Sequence, residues 1–397
     1  MSYDLSAGRK IENMDTGSAI FDSKIYTVKS GTTYTSDDWG ETFTSVTNNL
    51  PTADYYITHF TQDGTMLVSK TREVFRAVYP YTDFTNVVNL TTTGSRVLRW
   101  GFTQDNDGVL YMTEYGNYVD TVNGGYVNIM YWYKSTNDGV SWTKHNNLQT
   151  RDTKHFHQIK VNPFTNVLYV TTGDMNKLLF KSTDKGETWE EVIPTNYPSK
   201  TAENTNYGGF TGIGFFENGE ILWGTDWQPR DPDTGEYWNW YVKSVGDDVN
   251  SFTYEKMPKA YYGFTGDIMT DQTTGEAWMS LTDEFGESDV YPALMYTNNR
   301  GATWKPLVEL PAEGTLNGRR IIAYSDNSIK DSPYIFWDVI GEGIMRVDRN
   351  LKPQEDAALS ENVNRATFYL NLDGRIYEVD LFNNDGLIRD TDRFIGS

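Results

Sequence analysis

Ser182-x-Asp184-x-Gly186-x-Thr188-Trp189 is one copy of an eight-residue pattern that decides the fold. The same pattern stands at Ser36-x-Asp38-x-Gly40-x-Thr42-Phe43, at Ser135-x-Asn137-x-Gly139-x-Ser141-Trp142 and at Thr297-x-Asn299-x-Gly301-x-Thr303-Trp304. Its chemistry is local. A hydroxyl and an Asp or Asn side chain hydrogen-bond the backbone of a tight turn, and glycine supplies the positive φ the turn needs. The Thr or Ser begins an outgoing strand, and the aromatic anchors it. Each copy follows a β-rich run such as Leu178-Leu179-Phe180-Lys181.

Working outward, the glycines of the four copies, 40, 139, 186 and 301, are separated by 99, 47 and 115 residues. One gap is a single repeat unit, and the other two are double units with a degenerate turn between. Degenerate turns are expected near Val78–Asp83, Ser244–Ser251 and Asp348–Leu351. A second turn precedes each: Gln62-Asp63-Gly64, Asn106-Asp107-Gly108, Pro163-Phe164-Thr165-Asn166, Glu217-Asn218-Gly219 and Thr273-Thr274-Gly275, flanked by runs such as Gly108-Val109-Leu110-Tyr111-Met112. These are hairpin signals. Each unit is therefore four strands, a to d, with turns a–b and c–d on one face.

These motifs resemble the Asp-box (bacterial neuraminidase repeat) β-propellers. The resemblance implies an all-β fold: one propeller of four-stranded blades, seven by this spacing, with six as the alternative. It also implies that the boxes are structural and lie on the face away from the active site. The expected domain is the whole chain, 1–397, with 1–17 as lead-in and 362–397 as closing hairpin and tail. That hairpin, around Leu372-Asp373-Gly374, is expected to pair with the N-terminal strands near Ser18–Val28 and seal the ring.

Composition bounds the function. The chain has 397 residues, no cysteine and a net charge of −21. Disulfides and thiolate chemistry are excluded, and a surface so acidic repels nucleic acid and anionic membranes. Aromatic residues make up 15%, with 12 Trp and 27 Tyr, which argues against disorder and suits stacking on sugar rings. No run resembles a membrane-spanning helix. Met1 to Asn13 carries no apolar signal core, so an extracellular or virion-associated location is expected, reached without a leader in the numbered chain.

Candidate functional residues sit where a strands start and b strands end, around the mouth opposite the boxes. Three of the four histidines, His59, His155 and His157, are expected there. His155 and His157, two apart on a strand, are candidates for general acid/base work together with Tyr115 and the carboxylates Glu114 and Asp174. No third metal ligand is fixed by spacing, so neither metal nor cofactor is expected. Arg72, Arg99, Arg319 and Arg320 are candidates to clamp an anionic substrate. Trp100, Asp226, Trp227, Tyr262, Asp283 and Glu284 complete the substrate-binding set. The paired Gly209–Gly212 and Gly263–Gly266 stretches, each Gly-Phe-Thr-Gly, are read as close packing near the axis.

The family resemblance raises sialidase activity, but the Arg-Ile-Pro motif of that group is missing; the nearest basic stretch is Gly8-Arg9-Lys10-Ile11-Glu12. The expectation is a propeller that binds a cell-surface or extracellular polysaccharide at the channel mouth, with cleavage, as lyase or glycosidase, left open. The alternative is a non-catalytic glycan-binding or structural propeller of a phage virion, with other virion proteins as partners. The photosystem assembly factors, another Asp-box branch, show that such a fold does not by itself imply sugar.

Overall fold

The computed structural model describes residues 8–90, 92, 94–116, 129–148, 153–175, 177–193, 209–226, 240–246, 248, 251–257, 261, 263–283, 290–311, 317–324, 326–330, 332–353, 367–372, 375–380 and 393–396. Seven four-stranded antiparallel sheets follow one another along the chain. Blade 1 holds Ala19–Phe21, Lys24–Lys29, Thr32–Ser36 and Thr44–Thr47. Blade 2 holds Tyr56–Phe60, Met66–Lys70, Glu73–Ala77 and Thr85–Asn89. Blade 3 holds Phe102–Gln104, Leu110–Thr113, Trp132–Ser135 and Thr143–His145, and blade 4 Thr153–Val161, Leu168–Met175, Leu179–Ser182 and Glu190–Glu191. Blade 5 holds Phe210–Phe215, Glu220–Thr225, Trp240–Val245 and Thr253–Lys256. Blade 6 holds Phe264–Thr270, Ala277–Thr282, Ala293–Thr297 and Lys305–Glu309. Blade 7 takes Asn317–Ile322, Tyr334–Ile340 and Gly343–Asp348 from late in the chain and Gly8–Lys10 from its start.

The apolar core is divided in the same way. Seven clusters of buried side chains each lie between two successive blades. Trp132, Trp223, Trp278 and Trp337 are fully buried in these layers. One cluster joins Phe336 and Ile344 of blade 7 to Ile20 and Ile25 of blade 1, so the ring is closed: this is a seven-bladed β-propeller.

The motif turns sit between strands c and d of blades 1, 3, 4 and 6, and degenerate turns stand there in blades 2 and 5; in blade 7 the turn at Asp348–Leu351 follows strand c but leads to no d strand, since Gly8–Lys10 fills that place. In the first copy, Ser36 Oγ accepts from Gly40 N at 2.8 Å and donates to Asp38 Oδ1 at 2.7 Å. Asp38 in turn accepts from Thr42 N and Thr42 Oγ1 at 2.9 and 2.6 Å. The Asn copies make the equivalent bonds, with Asn137 Nδ2 donating to Ser141 Oγ at 2.9 Å. The residue before each glycine, Trp39, Asp138, Lys185 or Arg300, is also left-handed, so two consecutive positive-φ residues make the turn. Each glycine packs on the preceding blade: Gly186 faces Trp132 and Gly301 faces Leu222.

Ring closure departs from the expectation. Gly8–Lys10 pairs antiparallel with Met345–Val347 as the outer strand of blade 7. Thr367–Leu372 and Arg375–Asp380 do form a hairpin, but its further partner is Arg393–Gly396, in a separate three-stranded sheet. The N-terminal strands Ala19–Phe21 and Lys24–Lys29 instead belong to a complete blade of their own, which has no vacancy for the hairpin.

Candidate functional site

Five of the seven a strands carry a register shift at an equivalent place. The bulged residues are Thr58, His157, Thr211, Gly266 and Arg319. A bulge inserts one residue, bends the strand and re-aims its side chains. The residues that follow are His59, Gln158, Gly212, Asp267 and Arg320. In blade 3 a short 3-10 turn, Arg99–Gly101, precedes the a strand.

These positions build a polar group around the axis. The Arg320 guanidinium lies 3.6 Å from the Trp100 ring centroid, a contact between blades 7 and 3 across the ring. Arg320 also lies 3.5 Å from Asp267 and donates to Gly266 O at 2.5 Å. Burial pushes the Asp267 carboxyl up, against the pull of Arg320, Lys160 and Arg99. Arg99 donates to Ile57 O at 3.5 Å, and burial lowers it to about 10. Lys160 is buried, donates to Phe102 O at 3.1 Å, and is lowered to about 8, first by desolvation. Gln158 is 1% exposed, with neither side-chain polar atom hydrogen-bonded.

A second group lies where blades 3, 4 and 5 meet on the side where a strands begin. His155 Nδ1 is 2.8 Å from Gly116 O, and its ring packs on Tyr115 at 4.3 Å and His157 at 5.4 Å. His157 Nε2 is 3.5 Å from Asp226 Oδ2, and Asp226 Oδ1 takes Lys177 Nζ at 2.6 Å. Gly173 makes room for the His157 ring, since a Cβ there would sit 1.5 Å from Nε2. His155, His157, Tyr115 and Asp226 are thus brought together.

Other expectations are corrected. Glu114 is 0% exposed and points to the opposite strand face from Tyr115: it accepts from Tyr133 Oη and lies 3.8 Å from Lys144. Alternation along an extended strand separates neighbours in this way, so Glu114 does not join the histidines. His59 falls near the end of Tyr56–Phe60 rather than at its start, and it lines a cavity on the box side. Arg72 is exposed in the hairpin between Met66–Lys70 and Glu73–Ala77, with no side-chain contact to the axial group among the described residues. Asp283 follows Ala277–Thr282, half-buried. Arg319 is placed as a bulge residue and Asp174 within Leu168–Met175, but their side chains lie outside the described residues, as do Trp227, Tyr262 and Glu284 altogether. Among the described residues, no three His, Asp or Glu side chains are grouped to hold a metal ion.

Two concavities among the described residues lie on the box face, a location that sequence reasoning missed. A cleft of about 730 Å³ runs between Phe21, Asp22, Ser23 and Lys24 of blade 1, Gln62–Gly64 and Val78–Tyr81 of blade 2, and Tyr324 and Lys330 of blade 7. Phe21 stacks on Phe60 at 4.7 Å, Tyr26 meets Tyr81 edge-on at 5.6 Å, and Tyr79, 78% exposed, stands edge-on to Tyr81 at 5.7 Å. Beside it an inner cavity of about 200 Å³ reaches toward the axis, sharing Phe21, Gln62, Tyr324 and Lys330 with the cleft and adding His59, Gln104, Lys160 and Asp326. The signal was Val78-Tyr79-Pro80-Tyr81: where a box turn would stand, blade 2 carries aromatic residues.

Fold and site together define the class, a seven-bladed propeller with a polar axis and an aromatic cleft on its turn face. Comparisons place it more narrowly only by shape. No family model matches the chain, and no curated protein matches it by sequence. Among solved structures it is similar to YCF48 bound to D1 peptide, at 13% identity and TM-score 0.55, covering 89% of this chain and 99% of that one. It is also similar to the GH74 xyloglucanase from Xanthomonas campestris, at 11% identity and TM-score 0.52, covering 94% of this chain but 59% of the enzyme. At such identity the likeness is one of fold.

Proposed function

We infer that this protein is a carbohydrate-binding propeller that holds a glycan chain in the box-face cleft without cleaving it. The observation that carries this reading is the cleft itself: Tyr79, 78% exposed on the rim, held edge-on by Tyr81 above the packed rings of Phe21, Tyr26 and Phe60, with Asp22, Ser23, Gln62 and Asp63 along the edges. Aromatic faces stack on the apolar faces of sugar rings, and short polar side chains bind the hydroxyls. The candidate catalytic groups argue against cleavage. Glu114 is sealed under Tyr133 and Lys144, and His155 and His157 are buried with their rings held by Tyr115, Gly116, Asp226 and Gly173. Among the described residues, no two carboxyl groups face each other across an open cleft, the arrangement most glycoside hydrolases use.

The test is affinity electrophoresis and calorimetry on a panel of neutral and acidic polysaccharides, with mass spectrometry of the same mixtures. Retention by at least one glycan, weakened about tenfold or more by Tyr79→Ala, and no new oligosaccharides are expected; tenfold corresponds to about 1.4 kcal/mol. Retention indifferent to Tyr79→Ala would remove the cleft from the account. Products that vanish in the His155→Ala, His157→Ala double variant would make the protein an enzyme working at the opposite face.

A further inference from the structure

Lys160 is a buried ammonium in search of a counter-ion. Its residue is 2% exposed, its one hydrogen bond goes to the Phe102 carbonyl, and no carboxylate among the described residues lies within 4 Å of it. The two acids nearest in its field are engaged elsewhere: Asp267 with Arg320 at 3.5 Å, and Asp326 with Lys330 at 3.1 Å and Ser328 Oγ at 2.8 Å. Buried charges are ordinarily paired, because an unpaired one forfeits its hydration for nothing. Beside Lys160, on the wall of the same 200 Å³ cavity, stands His59, 4% exposed, stacked on Phe102 at 4.9 Å, its ring nitrogens without a well-formed hydrogen bond and the Gln104 side chain beside it. Gln104, on the same wall, already accepts from Gln62 N and donates to Gly108 O.

We propose that this inner cavity is a carboxylate pocket, and that it makes the adjoining cleft selective for an acidic saccharide whose terminal carboxylate is bound by Lys160 and His59. The proposal rests on the cleft reading above and adds the charge of the ligand. Lys160 has two donors left after its bond to Phe102, and a neutral imidazole has one N–H, so a carboxylate finds three donors. About 30 Å³ per water molecule makes the cavity room for several waters, hence for a carboxylate and the carbons that carry it. Lys330, on the wall of both spaces, is paired with Asp326 of the same cavity at 3.1 Å, so the uncompensated positive charge there is that of Lys160. The cavity does not lead on through the axis as an open bore, since Arg320 and Trp100 meet across the ring.

The experiment is calorimetry with cellobiouronic acid, cellobiose and acetate against wild type, Lys160→Met, Lys160→Gln and Tyr79→Ala, each variant first checked for a native thermal transition. Cellobiouronic acid is expected to bind at least tenfold tighter than cellobiose, with the preference lost in both Lys160 variants. In Tyr79→Ala both sugars weaken while the preference survives. Equal binding of the two sugars, or a preference unchanged by loss of Lys160, would overturn the carboxylate pocket and leave the cleft standing. If neither sugar binds, the cleft reading is left to the polysaccharide panel, and acetate decides the pocket alone. A thermal stabilisation by acetate in wild type that disappears in the Lys160 variants sustains it; none in either defeats it.

Discussion

Gly173 and His157 pose the sharpest steric question at the scale of single residues. The ring fills the space where a Cβ would stand, so Gly173→Ala must expel it or shift the strand. Overpacking of this kind costs about 1–3 kcal/mol. A matching drop in the urea midpoint stability is expected, and most of it should be recovered in Gly173→Ala, His157→Ala, because the second change empties the slot. Additive losses would mean the two residues do not compete for one space. Lys160 gives a pH signature. Its folded value, about 8, lies below the ordinary 10.5. Between these values the unfolded chain keeps a proton that the folded chain has released, so stability gained from this residue rises with pH across that window. Below about 8 the burial penalty is fully present. Asp267, Asp326, Arg99, Arg320 and His59 surround it, and His59, pushed down to about 3, stays neutral throughout. The wild type minus Lys160→Met difference in stability should therefore rise between pH 8 and 10.5, and carboxylate binding should weaken over the same range. A flat difference would show the ammonium to be solvated. None of this was visible in the sequence. Lys160 looks like any alternating strand lysine, and it is the inner position of Thr153–Val161, buried along its whole length, that encloses it. By contrast, the separation of Glu114 from Tyr115 was legible, because period-two alternation alone puts adjacent strand residues on opposite faces.

Among the elements, the box turns were fully legible, since their hydrogen bonds close within eight residues and need no tertiary context. They also act beyond themselves: Lys185 reaches Asp107 at 2.7 Å and Arg76 reaches Asp138 at 2.6 Å, each tying a box to the blade before it. Gly186→Ala would combine a φ of +83° with a Cβ 2.4 Å from the Trp132 ring. A loss of about 1–3 kcal/mol in chemical denaturation is expected; a neutral result would show that the blade 3–blade 4 seam yields freely. Asp38 and Asp184 are held down to about 2 chiefly by Thr42 and Thr188. Depressed carboxylates stabilise the fold above their unfolded value of 3.8, and that contribution disappears as pH falls through about 2. Asn serves at the same place in two other boxes, so Asp38→Asn, Asp184→Asn should fold normally. Its melting temperature relative to wild type should climb as pH is lowered from 4 to 2; a constant offset would mean the aspartates titrate as free groups. The turn of blade 2 was the element misjudged. Read only as a decayed box, Val78–Asp83 lacks the hydroxyl–carboxylate bonds of the motif, keeps a backbone bond from Tyr81 N to Val78 O at 2.8 Å, and carries Tyr79 and Tyr81, which build the cleft wall.

For the whole molecule, the sequence yielded the number of blades but not how the ring is fastened. Blade count follows from repeat spacing, a one-dimensional property. The fastening is a pairing between Gly8–Lys10 and Met345–Val347, more than three hundred residues apart, and three residues of mixed polarity carry no pattern that selects such a partner. Three kinds of contact secure the seam. The strand supplies the outer edge of blade 7, Ile11 and Met14 enter the apolar layer between blades 7 and 1, and Arg346 donates to Trp39 O at 2.9 Å and to Glu41 at 2.6 Å. Arg9 reaches the same Glu41 from the N-terminal strand. A chain beginning at Ile11 would keep the apolar layer but leave Gly343–Asp348 as an open edge, whose unpaired N–H and C=O groups are a template for another chain. Such a truncation is expected to melt at a lower temperature and to elute as dimers or larger species in chromatography with light scattering. A chain ending at Pro353 removes the separate sheet of Thr367–Leu372, Arg375–Asp380 and Arg393–Gly396 and leaves every blade strand in place. It is expected to remain monomeric, with a melting temperature within a few degrees of its parent. The reverse pattern, with the C-terminal truncation failing and the N-terminal one folding as a monomer, would return the closing role to the late hairpin, and the strand at Gly8–Lys10 would then be an ornament on a ring sealed elsewhere.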